Sequence, residues 1–449
     1  MTPYIVFASI VGLVPFVFIW PHVGLLLWFW VGLMNPHRLI WGPLESFSYA
    51  AVIGGATLLA WVVSRESKKI PVTPVTVMLG LFLAWITVTS LTARLPGEVW
   101  ASWDQAFKII LITFVTIALI NTRERLHALI WIMVVSIGFY GLKGGVFTVL
   151  SGGEYRVWGP PQTFIGDNNQ LALALIMTLP FVIFLQQHSQ LRWLRWALVG
   201  LGVMFVFSII GSQSRGAFLA ICVVAAFLVL KSPKRLPIGA AVLVLTAVAA
   251  LFIPDRWVER METIQNYEED MSAQGRFQAW TFAYKVAIDS PIVGGGFNVF
   301  LDEPYFFSLV PDAFKVWNFH SVYFEVLGEH GFVGLALFLG LLFAAWRTFA
   351  RVGRLSRGRG DLAWAHTLAR MGQVSLIGYA SGGAFLNLAF YDLYYLIVAV
   401  AAIAHGLVVR ELGAAPATRR AIRGNRAAGP THGPAPARTP AASHPSAAE

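Results

Sequence analysis

Apolar runs of about 17 to 25 residues, each long enough to cross a ~30 Å hydrocarbon core as one helix, recur along this chain to about residue 410. After the first 34 residues the pattern predicts spans over 47–63, 74–91, 104–120, 126–150, 168–185, 193–211, 215–230, 236–253, 321–346, 365–385 and 391–409. One long polar interruption, 254–320, divides them. The predicted organisation is therefore a set of N-terminal transmembrane helices (1–253), a loop subdomain (254–320), a set of C-terminal transmembrane helices (321–410) and a tail (411–449). That tail, rich in Ala, Pro and Arg, cannot build a core and is expected to be disordered on the cytoplasmic side. The first 34 residues are too long for one straight span and are interrupted by Pro15 and Pro21. Taken as one broken or partly re-entrant crossing they give twelve spans with both termini inside, the arrangement expected here; taken as two crossings they give thirteen with the N-terminus outside.

Charge adds sidedness to this pattern. The stretches RESKK (65–69), NTRER (121–125), Arg192/Arg195, KSPKR (231–235), the arginine-rich 347–359 and the tail from Arg410 are basic. The connections between them hold fewer cations and include Glu98, Glu154 and Asp167. Basic and non-basic connections alternate without a break, so the positive-inside rule puts the basic set in the cytoplasm and the 254–320 loop outside.

Composition agrees: 57% of residues are hydrophobic, only 12% are charged and mean hydropathy is +0.66. The formal net charge of +10 would suggest a nucleic-acid partner in a soluble protein. Here it reflects basic loops and tail, and no nucleic acid is expected. The single Cys222 excludes internal disulfides and cysteine metal clusters. The start, MTPYIVFASIVGL, lacks a basic n-region and a small-residue cleavage site, so no removable signal peptide is expected.

Against that topology, some charges stand on the disfavoured side. Arg215 sits in the short turn GSQSR between two apolar runs, facing outward. Lys143 in GLKGG (141–145), Arg156 in the next outer loop and Arg276 in GRFQAWTFAYKVAIDSP share that side. In the last stretch Phe277, Trp280 and Tyr284 recur at helical spacing, which predicts an amphipathic helix on or near the membrane surface. His320 falls where the outer loop becomes a span; Glu325 and Glu329, four apart, follow on one helical face. Each residue also has an ordinary reading: arginines snorkel to headgroups, interfacial histidines satisfy local hydrogen bonds, and the two glutamates can pair with Arg215 or Arg276. His330, deeper in the span beside Gly331, fits a structural role. The run Gly294–Gly296 suits either a plain turn or backbone N–H groups approaching a phosphate.

Four cations and a histidine gathered on the disfavoured side suggest an anionic ligand, with a diphosphate the natural candidate at a bilayer surface. The chain holds no D-x-D, H-x-x-H or Cys/His metal constellation, and no Walker or dinucleotide motif. No metal or cofactor is expected. Outside the cytoplasm the available activated donor is a polyprenyl-diphosphate glycan. Its transfer calls for a base, which a near-neutral histidine supplies, and for fixed positive charge on the leaving diphosphate, which arginines supply.

Three stretches carry a resemblance to the O-antigen ligase and polymerase superfamily: SQSRGAF (212–218), GRFQAWTFAYKVAIDSPIVGGGFNVF (275–300) and HSVYFEVLGEHGFVGLALF (320–338). The chain departs from the family pattern at Ser321, where Asn is usual. MNPHR (34–38), GLKGGVF (141–147) and DNNQLALAL (167–175) are similar to bacterial O-glycosylation ligases associated with exosortase systems. The resemblance implies an all-α polytopic membrane protein of about twelve transmembrane helices, with a periplasmic helical subdomain related to the GT-C glycosyltransferases. It implies metal-independent, inverting transfer from undecaprenyl diphosphate at the periplasmic face of the bacterial inner membrane. The family's essential histidine maps onto His320 and its two essential arginines onto Arg215 and Arg276; Lys143, Arg156 and Glu325 join them as candidate substrate contacts.

The first expectation is an O-antigen ligase joining a lipid-linked glycan to lipid A-core, surrounded by membrane lipid. A polymerase or a ligase acting on protein shares the same donor chemistry. A transporter would place charges near the midplane within internal repeats; this chain clusters its charges at one face and shows no repeat.

Overall fold

A computed structural model describes residues 3–40, 42, 44–231, 236, 239, 240, 243, 244 and 271–427. The span expected over 236–253 and the loop's first part, up to residue 270, fall almost entirely outside them. Among the described residues every regular element is helical. The helices are α1 (Pro3–Ile19), α2 (Pro21–Met34), α3 (Tyr49–Val63), α4 (Pro74–Leu91), α5 (Val99–Leu119), α6 (Arg123–Leu150), α7 (Asn168–His188), α8 (Arg192–Gly211) and α9 (Arg215–Lys231). After the gap come α10 (Met271–Asp289), α11 (Glu303–Leu309), α12 (Val322–Leu355), α13 (Ala363–Gly382) and α14 (Asp392–Ala427). Seven of them (α4–α8, α12 and α14) are long and apolar enough to cross a membrane. The chain is a polytopic all-helical membrane protein.

Cross-linking of the connections reproduces the two faces that the charge pattern predicts. On the basic face Arg125 donates to Glu66 at 2.7 Å, and Arg123 lies over the Trp364 ring. On the opposite face Arg38 donates to Gln162, Arg94 to Asp302, Arg156 to Gln213 and Asn298 to the Glu98 carbonyl.

The first 34 residues form two legs rather than one broken crossing. Trp20 is non-helical and Pro21, lacking an N–H, opens α2. The legs fold back: a Cβ on Gly24 would stand 2.6 Å from Val17 Cγ1, a contact that a continuous helix does not allow across seven residues. Phe7 in α1 packs on Phe47 and Tyr49 at the entry to α3, so α1 begins on the same face where α2 ends. A hairpin is what reading these residues as two legs expects.

Small residues set how closely the helices approach. On α6, Gly141, Gly144 and Gly145 lie against α8, where a Cβ would meet Phe205, Ser208 and Met204 at 2.3–2.4 Å. The GLKGG signature is a helix-packing seam. At the other end of the chain, α14 continues through Ala427, past residue 411 where the structureless tail is expected to start; residues 428–449 lie outside the described residues.

The segment from α10 to the start of α12 has a small core, in which Phe282, Val286, Val299, Phe306 and Phe319 are buried together. A clasp joins it to α12. Gly331 interrupts that helix at φ +69°, ψ −172°. The Phe332 N–H, which a continuous helix would direct at the Gly328 carbonyl, donates instead to Pro291. The Gly328 and Glu329 carbonyls then accept from the N–H groups of Gly295 and Gly296 at 2.9 and 2.8 Å. These exchanges give partners to the Phe332 N–H and to the Gly328 and Glu329 carbonyls at the break.

A Cβ at position 331 would meet the Ile292 oxygen at 2.3 Å, in a left-handed conformation that L side chains rarely adopt. Gly331→Ala is expected to destabilise the protein by about 1–3 kcal/mol, whereas Gly55→Ala, where a Cβ meets nothing within 4 Å, leaves stability within experimental error. Thermal melting of both variants in detergent checks this, and equal melting temperatures would refute the clasp.

Candidate functional site

The outward turn between α8 and α9 is built by polar side chains bonding to backbone. Ser212 Oγ donates to the Ile209 carbonyl at 2.6 Å, and Ser214 Oγ accepts from the Ala217 N–H at 3.1 Å, capping α9. Gln213 adopts φ +53° and donates from Nε2 to the Gly153 carbonyl at 3.1 Å. Its Oε1 accepts from Arg156 Nε at 3.3 Å. Arg215 opens α9 immediately after this laced turn.

The start of α7 is tied to the same turn. Asn168 donates from Nδ2 to the Ser212 carbonyl at 2.7 Å, and Asp167 caps α7 by accepting from the Asn169 N–H at 2.8 Å. Asn169, Ser214, Gly216 and Ala217 line one small crevice together with Arg276 of α10 and Phe385 after α13. Both sequence neighbours of Arg215 therefore border the crevice that Arg276 enters.

Gly275 lets α10 come this close. A Cβ there would stand 2.6 Å from the Trp317 ring, so the ring sits directly on the helix and donates from Nε1 to Gln278 at 2.9 Å. One turn on, Trp280 donates from its indole to the Phe319 carbonyl at 2.9 Å and stacks on Phe324. Phe319 is wholly buried in the small core and Ser321 is buried as the residue before α12. His320 is held between these anchors at φ +49°.

The half-buried His320 imidazole lies in the fields of Arg276, Asp167 and Lys315. Burial, reinforced by the Arg276 guanidinium, holds its pKa below the ordinary histidine value; Asp167 opposes the shift and Lys315 adds to it. His320 is thus favoured in its neutral form, as a base must be. A neutral imidazole, two arginines on fixed backbone and a capping carboxylate can together take a proton and meet an anion.

The other candidates fall in different places. Arg156 is one hydrogen bond from the turn that carries Arg215. Lys143 lies on the exposed side of α6 among Leu142, Val146 and Phe147, opposite the glycine seam, and the structure does not bring it to His320. Glu325 is buried in the helical interior, where its Oε2 accepts from the Ala389 N–H at 3.0 Å; it holds a chain segment rather than facing the crevice. Glu329 likewise accepts from the Asn298 N–H at 2.9 Å, and buried His330 bonds Thr89 at 2.7 Å. The Gly294–Gly296 run is a turn: its three N–H groups donate to the Ser290, Gly328 and Glu329 carbonyls, so none is left for a phosphate. Trp317, which shapes the site, lies outside every motif quoted above; Gln213 lies within SQSRGAF, but its bond to Arg156 is between residues 57 positions apart.

An all-helical membrane protein with a crevice lined by Arg276, next to the turn that carries Arg215 and within the electrostatic reach of His320, suits chemistry on a membrane-borne anion. Residues 201–339, which contain Arg215, Arg276 and His320, match the family described as O-Antigen ligase. Residues 1–190 match a family of unknown function (DUF5935). No curated protein matches the chain. The O-Antigen ligase match supports glycosyl transfer of the ligase or polymerase type by a multi-pass membrane protein; the family in general works with lipid-linked glycan and lipid A-core-type partners.

In a ¹³C-imidazole NMR titration His320 is expected to show a midpoint below the ordinary ~6.5. Arg276→Gln removes a cation that opposes protonation and should raise the midpoint; Asp167→Asn removes an anion that favours it and should lower the midpoint further. Shifts of the opposite sign would mean that His320 does not sense these groups.

Proposed function

We propose that this protein is an O-antigen ligase, transferring a glycan from undecaprenyl diphosphate to lipid A-core at the periplasmic face of the inner membrane. The single observation that carries the assignment of roles is the convergence of His320, Arg276 and the Ser214–Ala217 turn at one end of α7. His320 takes the proton from an acceptor hydroxyl as its oxygen attacks the anomeric carbon. The bond from that carbon to the diphosphate oxygen breaks on the opposite side, so configuration inverts. Arg276 and Arg215 meet the charge that develops on the departing diphosphate, where fixed guanidinium groups grip phosphate through a planar fork. Arg156 supports the turn through Gln213 and so positions Arg215. The two arginines do the work that a divalent cation does in metal-dependent transferases, and no metal enters the reaction.

Deleting the gene should remove the long lipopolysaccharide ladder while leaving an intact core band; cores capped with a single repeat would point to polymerase activity instead. In single-turnover assays with donor saturating, His320→Ala should slow transfer by about 10²–10⁴-fold while donor binding persists. Loss of donor binding alone would make His320 a binding residue. Arg215→Ala should abolish transfer in correctly inserted protein, and Arg215→Lys should recover it only in part, because an ammonium lacks the bidentate fork. Wild-type turnover should survive excess EDTA; restoration of a lost rate by Mg²⁺ would overturn the metal-free assignment.

A further inference from the structure

On the face that carries His320, a second and larger cavity of about 520 Å³ adjoins the crevice. The two share a wall. Along α7, Asn169 borders the crevice and Gln170 the cavity; after α13, Leu386 borders the crevice and Asn387 the cavity. The proposed transfer chemistry makes no use of this space.

Its lining differs in kind from the crevice. Asn35 ends α2 at φ +49°, with its Nδ2 donating to the Gly32 carbonyl at 2.8 Å. Pro36 then opens a 3₁₀ turn, Pro36–Leu39, which carries His37 and Arg38 to the cavity. The MNPHR motif is thus a helix stop that places two polar side chains. Across the opening Gln162, at φ +58°, accepts from Arg38 Nη1 at 2.8 Å. Five described non-glycine residues have left-handed φ. Gln213 belongs to the turn before α9, His320 to the loop before α12, Asn298 to the clasp, and Asn35 and Gln162 to this cavity. Such backbone strain gathers at binding sites.

Three side chains that line the cavity keep a buried polar atom without a hydrogen-bond partner: His37 Nδ1, Asn387 Oδ1 and Asp392 Oδ1. Buried polar groups are nearly always satisfied, so three in one cavity call for a ligand rich in hydroxyl groups. Charge here is close to balanced, because Arg38 pairs with Glu45 at 3.5 Å and Asp392 adds one carboxylate. Burial and Arg38 hold His37 below its ordinary pKa, leaving a neutral ring with one donor and one acceptor. Phe164, backed by Tyr391 at 5.9 Å, offers an aromatic surface at the rim. Uncharged amides, a carboxylate and one aromatic ring match a neutral sugar, with hydroxyls to bond and an apolar C–H face to stack. The cavity lacks the cation excess that a phosphate requires.

We infer that this cavity is a saccharide-recognition subsite, in which His37, Gln105, Asn387 and Asp392 bind a neutral sugar of the glycan substrate while the diphosphate lies toward Arg276 and the turn that carries Arg215. This rests on the glycosyl-transfer assignment above. It gives the region matching the family of unknown function a task, since His37, Gln105 and Gln170 all lie within residues 1–190. The sugar comes from either the donor glycan or the acceptor core, and both present the same chemistry to the cavity.

The test is direct binding to the full-length protein in nanodiscs, read by saturation-transfer NMR. The probes are oligosaccharide released by mild acid from the lipid-linked glycan of the host strain, and dephosphorylated core oligosaccharide. Wild type should bind one of them; binding of the first identifies the donor glycan as occupant, and of the second the acceptor. Asp392→Asn and Asn387→Ala should weaken binding about tenfold or more, the effect of losing a hydrogen bond in a buried site. Gln105→Ala, an exposed rim position with little bearing on folding, should weaken it severalfold at an unchanged melting temperature. Arg276→Ala should bind the free oligosaccharide as wild type does, because the probe carries no diphosphate. In transfer assays Asp392→Asn should raise KM for one substrate with kcat nearly unchanged. If neither probe binds wild type, or if Gln105→Ala and Asp392→Asn bind as tightly as wild type, the subsite is refuted. Oligosaccharide binding that depends on Asp392 and Gln105 in a protein with no transferase activity would uphold the subsite and refute the transfer assignment.

Discussion

The pairing of Gly295 and Gly296 with the carbonyls freed at the break in α12 is the constraint on which the outer face depends. A helix interrupted inside an apolar segment leaves backbone groups that lipid cannot satisfy, and here the glycine run supplies the missing donors. The exchange fixes the end of α10 against the start of α12. Those two helices carry Arg276 and follow His320, so a backbone bargain several residues away sets the distance between the proposed base and the proposed anion site. Glu329 and Asn298 extend the clasp toward α5 through the Glu98 carbonyl and Ser102. The glutamates that look reactive in the sequence are the pins of this scaffold.

Around that clasp the turn that carries Arg215 is placed by backbone and polar side chains. The Ser212–Ser214 turn is tied to α7 by Asn168, to the preceding outer loop by Gln213, and to α9 by its own cap. A guanidinium at the first position of a helix held this way has little freedom to wander. The same economy places His320, whose flanking residues are both buried while its ring stays half-exposed. Crevice and cavity then divide the recognition of one amphiphilic substrate: cations where phosphate must leave, balanced amides and a carboxylate where sugar must be read.

The all-helical polytopic class, the two faces and most span boundaries were legible in the sequence, because apolar length and loop charge report directly on the bilayer. So were the stretches around Arg215, Arg276 and His320, whose small and polar residues stand out against apolar surroundings. Their convergence was not legible. It depends on Trp317 seated on Gly275 and on Asn168 reaching Ser212, contacts across 42 and 44 positions of chain that no local pattern encodes.

Where pattern and structure part, the cause is a competing partner that only the folded chain supplies. Glu325 sits on the helical face that the sequence indicates, yet the Ala389 N–H claims its carboxylate. Lys143 stands at the expected height, but the glycines beside it must face α8, which turns the lysine away. The first 34 residues carry no charge at their bend, so nothing in their composition distinguishes a hairpin from a broken rod; packing of Gly24 on Val17 decides it. Composition and periodicity determined that this chain crosses a membrane, because that follows from transfer free energy summed along the chain. Which charged side chains reach one another was decided by tertiary packing, because a hydrogen bond forms only between groups that the fold brings within about 3 Å.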